Sequence, residues 1–261
     1  MGGGPRIHPT AVVDSGARIA DDVVIGPYAV VEGDVAIGPG TRLGPHVVVY
    51  AGTRLGKNNE VGAGAVLGMV PQDLKYAGEP TTLVIGDGNR IGEYVTISRG
   101  TAAGRGETRI GDGNYFMALS HVGHDCIVGN EVILTQGAAL AGMVTVEDWA
   151  VLGGMAGVHQ FVRIGRLAMV GGMCKVTRDV PPYTLVDGNP AEARGINTVG
   201  LARRGVGEER RGELKRAFRL LFRSTVSMSE RLAAIRERVP PSPERDHLLK
   251  FVAESERGIC R

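Results

Sequence analysis

The sequence predicts a mainly β chain: a parallel β-helix of hexapeptide repeats followed by a C-terminal α-helical domain. Three observations carry that prediction. Aliphatic residues recur at every sixth position over most of the chain, 40 of the 261 residues are Gly, and the C-terminal stretch turns charged and helix-forming. A hydrophobic fraction of 43% with only 5% aromatics means that a core must come from Val, Ile, Leu and Ala, side chains that suit strands.

The repeat begins at Ile7 and runs through Val13, Ile19 and Ile25 to Leu67. It returns at Ile85, Ile91 and Ile97, shifts by one residue, and continues from Ile110 to Val176, about 26 hexads in all. Each aliphatic residue is usually followed by Gly or by a small or acidic residue, as in IGPYAV from Ile25. A six-residue period matches neither an amphipathic helix nor an alternating strand, and fits a short strand plus a turn. Three units close a triangular coil of about 18 residues, with Gly expected to give the backbone its freedom to turn each corner. Coils stack about 4.8 Å apart, so residues about 18 apart in sequence lie above one another.

Two segments interrupt the repeat, about 68–84 with VPQDLKYAGEPTT and about 98–109 with RGTAAGRGET, and both should protrude as loops. The β-helix with its loops takes up 1–196, and 197–261 forms the helical domain. There Glu208–Arg223, Ser227–Val239 and Pro243–Arg257 carry apolar residues at helical spacing. The first of these helices also bears Arg210, Arg211, Lys215, Arg216, Arg219 and Arg223, with Arg203 and Arg204 just before it. That cluster reads either as a solvated face or as a docking patch for an acidic partner.

A net charge of +2 is too balanced to imply nucleic acid binding by charge alone. With no signal segment and no run of about 18 apolar residues to span a bilayer, the chain reads as cytoplasmic. Cys126, Cys174 and Cys260 lack metal-ligand spacing and read as buried thiols. Flat faces bearing Val, Met and Ile outside the central stack predict a symmetric trimer that covers them.

His124, Gly142 and Gln160 share the third position of hexads one coil apart, so they should form one column. The middle coil contributes only glycine, which leaves a gap of about 10 Å with exposed backbone between the two side chains. Acyl transfer to a hydroxyl requires a base with a pKa near neutrality and a fixed donor for the tetrahedral oxyanion, and an imidazole beside a backbone N–H supplies both. The repeat alone leaves His124 open between a catalytic and a packed surface histidine. A zinc site of His121, His124 and His159 is the alternative, but His159 occupies a different repeat position, and no metal is expected. No Ser or Cys sits at a nucleophile elbow.

The segments QDLKYAGEPT, HVGHDCIVGN, GGMAGVHQF, DVPPYTLVDGNPA and LARRG extend over essentially the whole chain. Together they resemble the UDP-N-acetylglucosamine O-acyltransferases of lipid A biosynthesis. The resemblance implies a homotrimer of left-handed β-helices with active sites between neighbouring subunits. It implies transfer of a (3R)-3-hydroxyacyl chain from acyl carrier protein to the 3-hydroxyl of UDP-N-acetylglucosamine. The only prosthetic group is then the phosphopantetheine carried by the donor. By motif, His124 would be the general base, Asp125 its support and the Gly142 N–H the oxyanion donor. Gln72, Asp73 and Lys75 would hold donor and sugar, and His121 and Gln160 would line the cleft. Asn197, Arg203 and Arg204 would meet the phosphopantetheine arm or the nucleotide, Gly172 would admit a long acyl chain, and the basic helix would face the acidic carrier protein.

Two positions depart from the family pattern. Met143 stands where a histidine usually follows the oxyanion glycine, so a hydrogen bond to the acceptor is lost or replaced, or the acceptor is a 3-amino sugar. Val199 replaces an acidic residue present in some members. The sibling N-acyltransferase of the same pathway resembles a chain with a domain ahead of its first hexad, for which a repeat starting at Ile7 leaves no room. A non-catalytic β-helical scaffold would have no need of the HVGHD cluster or the loops.

Overall fold

The structure, a computed structural model, describes residues 4–261. Short strands end on the hexad aliphatic residues, as in Val24–Ile25, Val30–Val31 and Ala36–Ile37. They assemble into three sheets of eleven, nine and eight strands, which are the faces of a left-handed parallel β-helix. Face one starts with Arg6–Ile7, face two with Val12–Val13 and face three with Arg18–Ile19. Neighbours on each face come from successive coils, such as Val24 with Arg42 and Val30 with Val48. The aliphatic residues therefore stack inside: Ile25, Leu43, Val61, Ile91, Leu134 and Leu152 are all buried, with Phe116 as a ring among them. Each such side chain contributes about 1.5–3 kcal/mol of hydrophobic stabilisation.

The corners correct one expectation. The glycine after the aliphatic residue is not the residue that turns the chain. Left-handed φ values fall two residues later, largely on non-glycine residues such as Tyr28 (58°), Asp125 (59°), Met143 (66°) and Phe161 (65°). The second-position glycine answers to crowding between coils: a Cβ on Gly26 would stand 2.9 Å from the Gly44 carbonyl carbon, and one on Gly38 would stand 2.7 Å from that of Gly56. Backbone cannot yield to such a contact as a flexible side chain can.

Across the two insertions the strand partners lie farther apart in sequence than one plain coil, Glu60 with Arg90 and Arg90 with Tyr115. Both insertions leave the corner between faces two and three. Their irregular parts, 70–81 and 99–106, are shorter than the sequence suggests, because strands extend to Met69 and Ser98 and resume at Thr82 and Glu107.

Strands Thr184–Asp187 and Glu192–Ile196 pair antiparallel and close face one. Four helices follow: α1 (Thr198–Arg203), α2 (Glu208–Phe222), α3 (Met228–Arg238) and α4 (Pro243–Ala253). α1 is too short to show helical periodicity in the sequence. α3 opens on a capping box of Ser227 and Glu230, and α4 on Ser242 with Pro243 in its first turn. α4 stops short of Arg257 because the chain then returns to the β-helix, where the Cys260 N–H donates to the Asp179 carbonyl at 2.9 Å. Leu221, Ile235, Leu249, Val252 and Ile259 form the core of the helical part.

Candidate active site

A cleft of about 570 Å³ runs along face two and its corner with face three. His124, Gly142 and Gln160 line it as one column, one coil apart. The corner is fixed on both sides of the histidine. The Asp125 N–H donates to Thr108 Oγ1 at 2.8 Å, and the Met143 N–H donates to the His124 carbonyl at 2.9 Å.

Asp125 Oδ2 lies 2.7 Å from His124 Nδ1. The same carboxylate accepts the Thr101 hydroxyl at 2.7 Å, the Thr101 N–H at 3.1 Å and the Arg105 N–H at 2.7 Å. The Arg105 guanidinium donates to the Asp125 carbonyl oxygen. Loop 99–106 thus folds back over the corner and closes Asp125 from water, at 0% exposure. Burial alone would push this carboxyl up, but the hydrogen bonds from His124, Thr101 and Arg105 outweigh it and hold the pKa below the ordinary carboxylate value. An ionised Asp125 accepts only, so the Nδ1 of His124 carries the proton and Nε2 presents its lone pair.

Nε2 faces Gly142, where a Cβ would stand only 2.4 Å from it. The position therefore requires glycine for space, although its φ is ordinary. Among the described residues the Gly142 N–H has no hydrogen-bond partner. His121, which opens the strand leading to His124, is held by Thr96 Oγ1 at 2.7 Å from Nδ1. Burial, and then the neighbouring His124, lower its pKa and favour the neutral ring.

Of the residues singled out in the sequence, the structure gathers Gln72, His121, His124, Gly142 and Gln160 on one cleft, with Asp125 behind His124. The rest stand elsewhere in this chain. Asp73 caps its own loop, accepting the Lys75 N–H at 3.0 Å, and Lys75 is exposed. Gly172 lies on the corner between faces one and two. Asn197 caps α1, accepting the Gly200 N–H and donating to the Leu167 carbonyl, both at 2.9 Å. Arg204 pairs with Glu131 at 2.7 Å and covers the Trp149 ring, while Arg203 is exposed. Among the described residues no three His, Cys, Asp or Glu side chains gather as a metal set. Met143 lines a separate cavity of about 620 Å³ on the other side of the corner, with Phe161, Arg105 and Arg163.

Sequence reasoning missed several lining residues. Ser98, His159 and Thr177 share the second hexad position on this corner, so the coil-to-coil ladder could have found Thr177 and given a cleft place to His159, which entered only as a possible zinc ligand. Thr101 and Arg105 sit in an insertion, outside any ladder.

A family model described as UDP N-acetylglucosamine O-acyltransferase, domain 2, matches residues 179–260, and one for the bacterial transferase hexapeptide (six repeats) matches 34–68. A relative from Burkholderia mallei is 50% identical over 260 residues, covering 98% of this chain and 99% of its own. One from Anaeromyxobacter sp. is 49% identical over 255 residues, with the same coverage of 98% and 99%. Both are named acyl-[acyl-carrier-protein]–UDP-N-acetylglucosamine O-acyltransferase. Among solved structures, the UDP-N-acetylglucosamine O-acyltransferase from Moraxella catarrhalis is 42% identical with a TM-score of 0.94, covering 98% of this chain and 99% of that one. The enzyme from Francisella novicida is 38% identical with a TM-score of 0.95, covering 98% and 94%.

Proposed function

The chain belongs to the UDP-N-acetylglucosamine O-acyltransferase family, and on that premise we propose that it transfers a 3-hydroxyacyl chain from acyl carrier protein to the 3-hydroxyl of UDP-N-acetylglucosamine, opening lipid A biosynthesis, with His124 as general base. The observation that carries the mechanism is the pairing of His124 with Gly142: Nδ1 anchored on a buried carboxylate, and Nε2 free beside an unpaired backbone N–H.

Nε2 removes the proton of the acceptor hydroxyl as its oxygen attacks the thioester carbon. Negative charge then develops on the former carbonyl oxygen, where the Gly142 N–H is placed to receive it without reorganisation. Collapse of the tetrahedral intermediate breaks the carbon–sulfur bond, and Nε2–H returns its proton to the departing phosphopantetheine sulfur. Products are the acylated nucleotide sugar and the free thiol of the carrier protein. Asp125 holds the ring orientation and stabilises the transient imidazolium.

We assign the working form as a homotrimer. The corner between faces one and two carries Tyr28, Tyr94, Leu119, Met155 and Met173, each more than half exposed, an apolar ridge that a neighbouring copy would cover. Packed against a neighbour's face two, this ridge would bring Gly172 beside the neighbour's cleft, as an acyl-length determinant requires. Sedimentation should then give a trimer. The exposed Lys215, Arg216 and Arg219 of α2, with Arg223 at its C-cap, offer the acidic carrier protein its docking charge. Among the described residues no helix is long and apolar enough to cross a membrane, and the reading sets the enzyme in the cytoplasm with its water-soluble substrates.

The test is steady-state acyl transfer by the wild type with 3-hydroxyacyl carrier proteins of several lengths, offering UDP-N-acetylglucosamine and its 3-amino analogue. Preference for the hydroxyl acceptor is expected, since Met143 lines the other cavity and has no part in the cleft. Preference for the amine, or no transfer to either, would contradict the proposal.

A further inference from the structure

Two cations that form no ion pair among the described residues stand near the end of the cleft closest to the helices, Lys175 in its wall and Arg257 on the rim it shares with the neighbouring cavity. Lys175 opens the last face-two strand, Lys175–Val176, and lines the cleft beside His159, Gln160 and Thr177. Arg257 comes from the segment that returns after α4. Its guanidinium lies 3.3 Å from His159 Nδ1 and 3.5 Å from the Thr177 carbonyl oxygen. Both residues are exposed, and among the described residues neither forms an ion pair, whereas Arg54, Lys57, Arg90, Arg163 and Arg166 all do. Among the described residues no Asp or Glu lines this cleft, so nothing in its wall offsets the positive charge. Glu254, Glu256 and Asp179 border the separate cavity beyond the corner, which Arg257 also lines, so Arg257 stands between that acidic cavity and the carboxylate-free end of the cleft.

The floor between the catalytic centre and these cations is open. On face two His121, Ala139, Gly157 and Lys175 stack one above another. Ala and Gly leave a trough, and its two ends lie three strand spacings, about 14 Å, apart. A substrate lying along that trough with its reacting group at His124 would carry its far end to Lys175.

We propose that Lys175 and Arg257 form a phosphate seat that anchors one substrate by an anionic group while its reacting group lies at His124. The inference rests on the acyl-transfer reading of the site. Two substrates bring phosphate here: the nucleotide sugar through its diphosphate, and the donor through the phosphodiester of its pantetheine arm. Lysine and arginine both supply charge-assisted donors to phosphate oxygens, and the Thr177 hydroxyl and Gln160 amide stand beside them as neutral donors.

Lys175→Ala and Arg257→Ala, with the charge-keeping Lys175→Arg and Arg257→Lys, test the seat in the full-length enzyme. Each alanine variant should raise the KM of one and the same substrate about tenfold while kcat stays within about twofold, and the charge-keeping variants should recover most of the loss. If the donor's phosphodiester occupies the seat, the wild type prefers acyl-phosphopantetheine over acyl-pantetheine and Lys175→Ala loses that preference. If the nucleotide occupies it, UDP inhibits the variants less. Unchanged KM values for both substrates, a fall in kcat alone, or an effect confined to Arg257→Ala, which would then act only through His159, would overturn the seat. Equilibrium binding of UDP and of phosphopantetheine, which needs no turnover, separates this from the function beneath it. A wild type that binds one of them through Lys175 yet transfers no acyl group would leave the seat standing and overturn the reaction; a wild type that binds neither overturns the seat.

Discussion

Two corners of the prism share one backbone conformation and use it for opposite ends. At the corner between faces three and one, the third-position N–H of four successive coils is met by a side chain from the coil above. Lys57 donates to Asp87 at 2.9 Å, Asp87 to Asp112 at 2.7 Å, Asp112 to Asn130 at 2.8 Å and Asn130 to Asp148 at 2.9 Å. Inside the same corner Asn59, Asn89 and Asn114 form a buried amide ladder with N–H to Oδ1 distances of 2.9 Å. At the corner between faces two and three, the equivalent position is Gly142. No side chain accepts from its N–H, and the imidazole of His124 occupies the space a Cβ would take. One corner closes a run of four donors for stability, and the other leaves donors open, the Gly142 N–H among them where an oxyanion would form. The repeat position is constant, so the side chain one coil on decides the use.

Breaking the open corner should have the largest effect. Gly142→Ala forces the imidazole aside, and kcat/KM should fall about a thousandfold while the melting temperature moves only a few degrees. Breaking the closed corner should do the reverse. Asn89→Ala strands the Asn114 N–H and its side-chain amide in the interior, and urea denaturation should show a loss of about 2–3 kcal/mol with kcat unchanged below the transition. Loss of activity without loss of stability in Asn89→Ala would erase the contrast.

The smallest effect is a pH dependence confined to the open corner. Burial and His124 hold the pKa of His121 below 6.5 in the folded chain. As pH falls, the unfolded chain takes up this proton first. The contribution is therefore complete above 6.5 and is lost as pH drops from 6.5 through the lower folded value. Stability of the wild type should decline relative to His121→Gln between about pH 7 and about pH 5, and parallel curves would contradict the assignment.

The contrast between the corners also marks what the sequence makes legible. The central stack from Ile7 to Val176 and the column of His124, Gly142 and Gln160 follow from periodicity alone, because the stacking of each coil on the next is a property of the repeat. The reason for the second-position glycines does not, since crowding between coils leaves no mark in one hexad. The clamp of Thr101 and Arg105 on Asp125 lies in an insertion, where the ladder rule lapses and the loop's return over the corner depends on tertiary contacts. The Asn ladder is hidden for another reason: Asn59, Asn89 and Asn114 occupy the fifth hexad position, which a reading by hydrophobicity expects to be small or β-branched. Their amides find one another only across coils 30 and 25 residues apart in sequence.

The most direct test of the open corner is kcat/KM for acyl transfer from 3-hydroxyacyl carrier protein to UDP-N-acetylglucosamine, compared between wild type and His124→Ala at matched folding. The account predicts a loss of about a hundredfold or more with little change in the KM of either substrate. A variant that retains wild-type kcat would show that the pairing of His124 with Gly142 is not where the proton moves.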